Sequence, residues 1–214
     1  MSATSTCRSW RAWSTLLLVM ALGLGLDLWS KTYAFAHVAD EPVVIDREVV
    51  LADPQWAPPM HAPVHLLPWN LLDARLVANH GAVFGIGNGK RIFFIGFTLV
   101  ALFGGLMMFA LWTSPTNHAA HIGIGLVLAG GLGNLYDRIV YGIVRDFLHM
   151  LPDIRLPFGW HWWGNNPEVF PWVFNVADML LLGGIALLFV QLNRKTGKEE
   201  ERAKNDAGMH EQAT

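Results

Sequence analysis

The stretch IFFIGFTLVALFGGLMMFALWTSPTNHAAHIGIGLVLAGGLGNLY, residues 92–136, decides the fold, because 92–112 and 119–136 contain no Asp, Glu, Lys or Arg. A helix needs about 20 mostly apolar residues to cross about 30 Å of hydrocarbon. The link at 113–117 contains Ser114-Pro115, which is typical of a tight turn. The stretch therefore predicts two membrane-spanning helices joined by a short turn.

The rest of the chain has the composition of a membrane protein. It is 53% hydrophobic and only 15% charged, whereas soluble domains carry about 25% charged residues. Two further apolar stretches give four predicted spans in all, at about 12–33, 92–112, 119–140 and 173–193. The net charge of −2 does not indicate a nucleic-acid partner. The single cysteine, Cys7, excludes an internal disulfide framework.

The first span has two interpretations. Arg8 and Arg11, the apolar run 16–26 and the sequence AFA at 34–36 are typical of a cleavable signal peptide. Asp27 and Lys31 favour a retained helix instead, because an acid four residues before a base forms an ion pair on one helical face. We favour the retained helix, in which this pair fixes the register of the span.

Two polar regions interrupt the spans. Region 37–90 contains a β-branched segment at 43–51, predicted as a strand, and a second predicted strand near 71–78. Together they predict a small sheet on the membrane surface. Region 151–172 is rich in Pro, Gly and Trp, and Trp favours the headgroup level, so we predict an interfacial loop with a short helix. The charged tail 194–214 is predicted to be disordered.

Asp146 and Asp178 each border a predicted span, where an ionised carboxylate is costly and is usually retained for a function. Two carboxylates brought together can share one proton, which supplies an acid and a base at neutral pH. Such a pair is typical of an aspartic protease. The aspartates also fit an ion or proton transporter, although those place acids near mid-bilayer, or a non-catalytic assembly subunit.

Two Asn–Asp pairs have helical spacing. Asn134 and Asp137 are three positions apart, as are Asn175 and Asp178, so each pair would share one face of a helix. Glycines at 130, 131 and 133 would let another backbone approach closely. The pairs could simply join helices, but together with Asp146 they favour a site. The histidines lack zinc-ligand spacing, and neither a Gly-rich phosphate loop nor a Gly-x-Ser-x-Gly elbow is present.

Five short motifs in this order resemble the bacterial lipoprotein signal peptidases, or signal peptidase II. They are DLWSK at 27–31, NHGAVFG at 79–85, GGLGNLYDR at 130–138, GIVRDF at 142–147 and FNVAD at 174–178. Each motif alone is weak evidence, but five in the family's order over 27–178 are specific.

The resemblance implies a four-helix membrane core with a small outer-face β element and an interfacial loop. It implies one peptidase domain over 1–193, with outer-face insertions at about 37–90 and 151–172 before the tail. The implied catalytic residues are Asp146 and Asp178. The residues implied to line or support the site are Asp27, Lys31, Asn79, Gly81, Gly133, Asn134, Asp137, Arg138 and Asn175.

The implied reaction is hydrolysis of the prolipoprotein bond before a diacylglyceryl-modified cysteine, with no metal or other cofactor. The implied partners are the lipidated precursor and membrane lipids, for a monomeric enzyme. The implied location is the bacterial inner membrane, with both termini cytoplasmic and the active site at the outer face; the charges at Lys90, Arg91 and Arg194 alone do not settle the orientation.

The chain departs from the family pattern in its outer loops. More residues separate Asp146 from Asp178 than in typical members, and the region before Asn79 is long and proline-rich. Arg145 is also unexpected, and if it faced the two aspartates it would lower an aspartate pKa.

Overall fold

The computed structural model describes residues 9–81, 91–162 and 166–212, with side chains described up to residue 194. In chain order the elements are α1 (Trp10–His37), α2 (Arg47–Ala52), β1 (Val64–Leu67), β2 (Leu72–Asn79), α3 (Arg91–Trp112), α4 (His118–Val140), β3 (Val144–Met150), β4 (Val173–Phe174) and α5 (Val176–Gln212). Among the described residues, α1, α3, α4 and the Val176–Arg194 part of α5 are long and apolar enough to cross a membrane. The predicted four-span helical core is confirmed.

Helix α4 is the centre of the bundle and packs against α1, α3 and α5. Its glycines permit this packing. At Gly130 a Cβ atom would collide with the carbonyl oxygen of Ala177 on α5, so only glycine allows the two helices to lie this close. A cluster of buried apolar residues, including Phe109 and Ile124, joins α1, α3 and α4 near the turn between α3 and α4.

The four strands form one antiparallel sheet in the order β1-β2-β3-β4. Strands β2 and β3 align Asn79 with Val144 and Val77 with Asp146. Phe35, near the end of α1, packs in the same buried cluster as sheet residues such as Leu76. The sheet is thus fixed to the bundle, and its β2–β3 pairing brings Asn79 close to Asp146.

The predicted strand at 43–51 is wrong, because α2 occupies most of that segment. Asp46 caps this helix: its carboxylate accepts hydrogen bonds from the backbone N–H groups of Glu48 at 2.8 Å and Val49 at 3.4 Å. An N-cap aspartate satisfies backbone donors that a helix leaves unpaired, which outweighs the strand preference of the valines. The second predicted strand is confirmed as β2.

The interfacial-loop segment 151–172 has more backbone pairing than predicted. Val169 N donates to Ile154 O at 2.7 Å and Leu156 N to Pro167 O at 2.7 Å, so the segment forms a hairpin-like arm. Among the described residues of this segment, the helical part is a single 3₁₀ turn, Pro157–Gly159. The depth of this arm relative to the bilayer stays a prediction.

The predicted disorder of the tail is corrected, because α5 continues as a helix to Gln212. Residues 195–212 contain many Lys, Glu, Arg and Ala residues. These are among the strongest helix formers, and they follow a helix that is already nucleated. High charge in this segment therefore signals the end of the membrane span and not the end of the helix.

Candidate active site

Asp146 is held on β3 at the end of the helical bundle and is only 1% exposed. Asn79 on β2 donates from Nδ2 to Asp146 Oδ2 at 2.9 Å. Asn175 donates from Nδ2 to Asp146 Oδ1 at 2.6 Å. Both carboxylate oxygens therefore have partners, and both of these partners are neutral amides.

Asp178 lies in the first turn of α5, and Asn175 precedes that helix. Asp178 N donates to Asn175 Oδ1 at 3.1 Å, and Asn175 N donates to Asp178 Oδ2 at 3.2 Å. This reciprocal pair is a capping box. The prediction that Asn175 and Asp178 share a helical face is therefore wrong, since their spacing marks the start of a helix.

The two aspartates are linked through two asparagines. Asn175 contacts both of them, with its side-chain amide on Asp146 and its backbone N–H on Asp178. Asn134 on α4 donates from Nδ2 to Asp178 Oδ1 at 2.8 Å and accepts from Asn175 Nδ2 at 3.1 Å. These amides do join α4 to α5, as the helix-joining alternative predicted, and they also orient a pair of carboxylates.

Burial, as the larger cause, and the negative charge of Asp178 together raise the pKa of Asp146 to about 8. The amide donors Asn79 and Asn175 and the charge of Lys31 act in the opposite direction without cancelling the effect. A carboxyl group with this pKa holds its proton at neutral pH. The pair can therefore present one protonated and one ionised carboxyl group.

A buried chain of alternating charges supports the pair from the side of α1. Lys31 Nζ lies 2.8 Å from Asp27 Oδ2 and 3.4 Å from Asp137 Oδ2. Asp137 in turn pairs with Arg145, with Nη2 and Oδ1 2.9 Å apart. Lys31 also donates to Asn134 Oδ1 at 2.9 Å. Asp27 and Lys31 thus do more than fix the register of one helix, because they fix α1 against α4.

Asp27 also positions the start of α5. Its Oδ1 accepts a hydrogen bond from Ala177 N at 2.8 Å, directly before Asp178. The facing residue on α4 is Gly133, where a Cβ would collide with the Asp27 carboxylate. Glycine is therefore required at this position for the carboxylate to reach α5.

Arg145 does not face the aspartate pair. Its backbone N–H donates to Asp137 Oδ2 at 3.0 Å, and its guanidinium lies 4.3 Å from the centre of the Tyr141 ring. Neighbouring residues on a strand point to opposite faces, so Arg145 and Asp146 diverge. Arg145 was expected to lower an aspartate pKa only if it faced the two aspartates, and it does not face them. This alternation was the signal that could have placed Arg145 on the face of β3 opposite to Asp146.

Arg138 joins the loop after β2 to α4. Its Nη2 donates to the carbonyl oxygen of Gly81 at 2.9 Å, and its guanidinium lies 5.4 Å from the centre of the Phe94 ring. Gly81 N donates to Asn79 Oδ1 at 3.0 Å, which leaves the NH₂ group of Asn79 for Asp146. Residues 82–85 of the NHGAVFG motif lie outside the described residues.

A cavity of about 350 Å³ opens beside the pair. One end carries polar side chains, and the wall is apolar. The lining includes Asn79, Asn134, Arg138 and Asp178 at the polar end, and Phe93, Phe97, Leu102, Val127 and Leu181 along the wall. Such a cavity can hold a peptide bond at the carboxylates and an apolar chain beside them.

All eleven residues implied by the resemblance lie in this one connected region. Two linked carboxyl groups, one with a raised pKa, beside an apolar cavity in a membrane bundle define the class of membrane-embedded aspartic peptidases. Comparison with known proteins identifies the family within this class.

The family model described as Signal peptidase (SPase) II matches residues 19–194. The lipoprotein signal peptidase of Clostridium tetani is 36% identical over 188 residues, which cover 87% of this chain and 97% of that protein. The lipoprotein signal peptidase of Caulobacter vibrioides is 29% identical over 194 residues, covering 88% and 90%. The chain belongs to the signal peptidase II family, whose members remove the signal peptides of prolipoproteins.

A solved structure of a bacterial membrane enzyme, determined by the in meso method at 2.3 Å resolution, has the same fold. It superposes with a TM-score of 0.62 at 24% identity, and the match covers 86% of this chain and 91% of that one. Because the chain belongs to the signal peptidase II family, the alternatives of an ion or proton transporter and of a non-catalytic assembly subunit are excluded.

Proposed function

We propose that Asp146 and Asp178 are the catalytic dyad of this lipoprotein signal peptidase. The observation that carries the proposal is Asn175, which donates one hydrogen bond to each carboxylate. A shared donor keeps two carboxyl groups together that would otherwise repel each other. Asn79 and Asn134 each orient one member of the pair.

The proposed substrate is a prolipoprotein whose signal segment lies in the bilayer. The bond cleaved is the one before a diacylglyceryl-modified cysteine. The apolar wall of the cavity beside Asp178 supports this assignment, because it can take acyl or apolar peptide groups while the scissile carbonyl reaches the polar end.

The proposed mechanism is general acid–base hydrolysis. One ionised carboxylate takes a proton from water while the water oxygen attacks the scissile carbonyl carbon. The protonated carboxyl group donates to the carbonyl oxygen, and the leaving amine is protonated as the C–N bond breaks. The surrounding ion pairs, Lys31 with Asp27 and Arg145 with Asp137, hold the helices that carry these groups.

The proposed location is the bacterial inner membrane, with both termini in the cytoplasm and the dyad at the outer face of a monomer. The four candidate spans among the described residues support this proposal, because an even number of crossings returns a chain to the side on which it started. Arg194 and the following lysines favour the cytoplasm for that side.

Cys7, the single cysteine, allows a test of this orientation with a membrane-impermeant maleimide. Labelling should require permeabilised cells, and labelling of intact spheroplasts would reverse the proposed orientation.

Cleavage of matched precursors tests the proposed substrate. The purified protein in detergent should cleave a diacylglyceryl-modified precursor and release a product whose N-terminal residue is the lipidated cysteine, as read by mass spectrometry. The same peptide without the lipid is the control, and its kcat/KM should be much lower. Equal cleavage of both precursors would contradict the assigned role of the lipid.

A further inference from the structure

The two carboxyl groups of the dyad differ in their access to solvent. Asp146 is 1% exposed, whereas Asp178 is half-buried and lines the cavity of about 350 Å³. An ionised carboxylate loses hydration when it is buried, so burial disfavours the charge on Asp146 more than on Asp178. Asp178 is also the group beside the space where a water molecule would be bound.

The hydrogen-bond donors to the two carboxyl groups also favour the negative charge on Asp178 over Asp146. The donors to Asp146 are the neutral amides of Asn79 and Asn175. Asp178 instead accepts the backbone N–H of Asn175 within the first turn of α5, where the helix dipole stabilises an anion. Its other donor is the amide of Asn134, whose oxygen is bound to the Lys31 ammonium. This contact polarises the amide and aims its NH₂ group at Asp178.

Among the described residues, the charged side chains around the dyad leave one positive charge to be balanced. Asp27, Lys31, Asp137 and Arg145 form a chain whose two positive and two negative charges cancel. Arg138 remains, and it lines the same cavity as Asp178, whereas Asp146 is not among the residues that line this cavity. One negative charge on the dyad therefore neutralises the site, and its favoured position is Asp178.

We propose that in the substrate-free enzyme Asp146 holds the proton and Asp178 carries the negative charge. Asp178 is then the base that activates water, and Asp146 is the acid that protonates the carbonyl oxygen. This assignment rests on the proposed function of the two residues as a dyad. The pKa of Asp146, raised to about 8 by burial and by Asp178, agrees with it.

The assignment gives a balanced reaction. Asp178 removes one proton from water, the water oxygen bonds to the scissile carbon, and the carbonyl oxygen takes the proton of Asp146. The intermediate is a gem-diol, with Asp178 protonated and Asp146 ionised. Asp178 then protonates the amide nitrogen, the C–N bond breaks, and one hydroxyl proton returns to Asp146. A carboxylic acid and an amine leave, and the dyad regains its starting state.

Infrared difference spectroscopy of the full-length protein in detergent tests the assignment without requiring turnover. The measurement follows the C=O stretching band of a protonated carboxyl group. It is made at about pH 6, between the ordinary aspartate pKa of about 3.9 and the raised value of about 8. Asp146→Asn should remove the band. Asp178→Asn should keep it, because burial is the largest cause of the raised Asp146 pKa and the substitution leaves Asp146 buried.

Asp73→Asn is the matched control, since Asp73 is a buried carboxylate paired with His65 in the sheet. It should leave the dyad band unchanged. Loss of the band in Asp178→Asn, or its persistence in Asp146→Asn, would overturn the assignment. If Asp178→Asn fails to fold, Asp178→Ser, which can still accept the Asn175 N–H, makes the same comparison.

Failure of the assignment and failure of the proposed function give different results. If both dyad variants cannot cleave a lipidated precursor but the band belongs to Asp178, the dyad stands and the assigned roles are reversed. If either variant cleaves the precursor like the wild type, the proposed dyad itself is wrong.

Discussion

At the scale of the residue, Asn175 connects three parts of the site. It caps α5, donates to Asp146 and contacts Asn134 on α4. Its position was predictable from the FNVAD motif, but its capping role was not inferred, because Asn and Asp three positions apart fit both a helical face and a helix start. The extended strand β4 directly before it decides between the two.

The proton on Asp146 predicts how stability depends on pH. Its pKa is about 8 in the folded protein and about 3.9 in an unfolded chain. The stabilisation that protonated Asp146 gives is therefore full below about pH 4 and is lost as pH rises through about 8. Asp146→Asn cannot lose this proton, so its Tm relative to the wild type should rise between about pH 4 and 8.

Thermal unfolding of both proteins in the same detergent measures this difference. Wild-type hydrolysis should also fall above about pH 8, because the dyad then loses its proton. A Tm difference that stays constant with pH would contradict the raised pKa.

At the scale of the element, the close packing of α4 on α5 places Asn134 next to Asp178. The GGLGNLYDR motif predicted a close approach, and the collision at Gly130 gives the physical reason.

The strand at 43–51 was predicted wrongly because a single side-chain cap, Asp46, outweighed several β-branched residues. The composition of a segment gives little indication of a helix cap, whereas a long stretch without charged residues clearly indicates a membrane span.

Gly130→Ala should separate α4 from α5 and reduce both stability and activity. Overpacking of this kind costs about 1–3 kcal/mol, and the new methyl group would meet the Ala177 carbonyl directly before Asp178. Gly183→Ala is the control, because a Cβ there meets no atom within 4 Å. Tm and kcat should fall only for Gly130→Ala. Equal behaviour of the two variants would exclude helix spacing as the cause.

The arm at 151–172 is predicted to lie at the outer interface and to help position the lipidated substrate. Phe158 is 91% exposed and Trp160 is 66% exposed, and such rings favour the headgroup zone. Trp162 of the arm packs against Trp172, with ring centres 5.0 Å apart. The predicted cluster also included Trp163, which lies outside the described residues.

Replacing Phe158 and Trp160 together by Ala should lower kcat/KM for a lipidated precursor and leave Tm unchanged, because neither ring is buried. Trp10→Ala, an exposed tryptophan at the start of α1, is the control and should leave kcat/KM unchanged. An unchanged kcat/KM in the double variant would leave the arm without a part in substrate handling.

At the scale of the whole molecule, the sequence predicted the four spans, and the eleven residues named from its motifs lie together in the structure. It could do so because uncharged stretches and short motifs are local features. It could not predict how Arg145 pairs with Asp137 or how the chain of charges crosses from α1 to β3, since these contacts depend on tertiary packing. The helical tail was missed because charge was taken to indicate disorder.

The buried contacts of α1 predict that the first span is retained in the mature protein. Asp27 and Lys31 are both fully buried, against α4 and the start of α5, so loss of residues 1–36 would leave Asp137 without one of its two cations. Intact-mass analysis after membrane expression should show residues 1–36 present. A mature chain that begins at His37 would establish cleavage instead.

The most direct test of the dyad is the rate of hydrolysis of a lipidated precursor by Asp146→Asn and Asp178→Asn. Each variant should lose about 10²–10⁴-fold or more in kcat, the usual contribution of a general acid or base, while remaining folded in detergent. Asp73→Asn, which removes a buried carboxylate outside the dyad, should retain the wild-type rate. Turnover near the wild-type rate by either dyad variant would contradict the account.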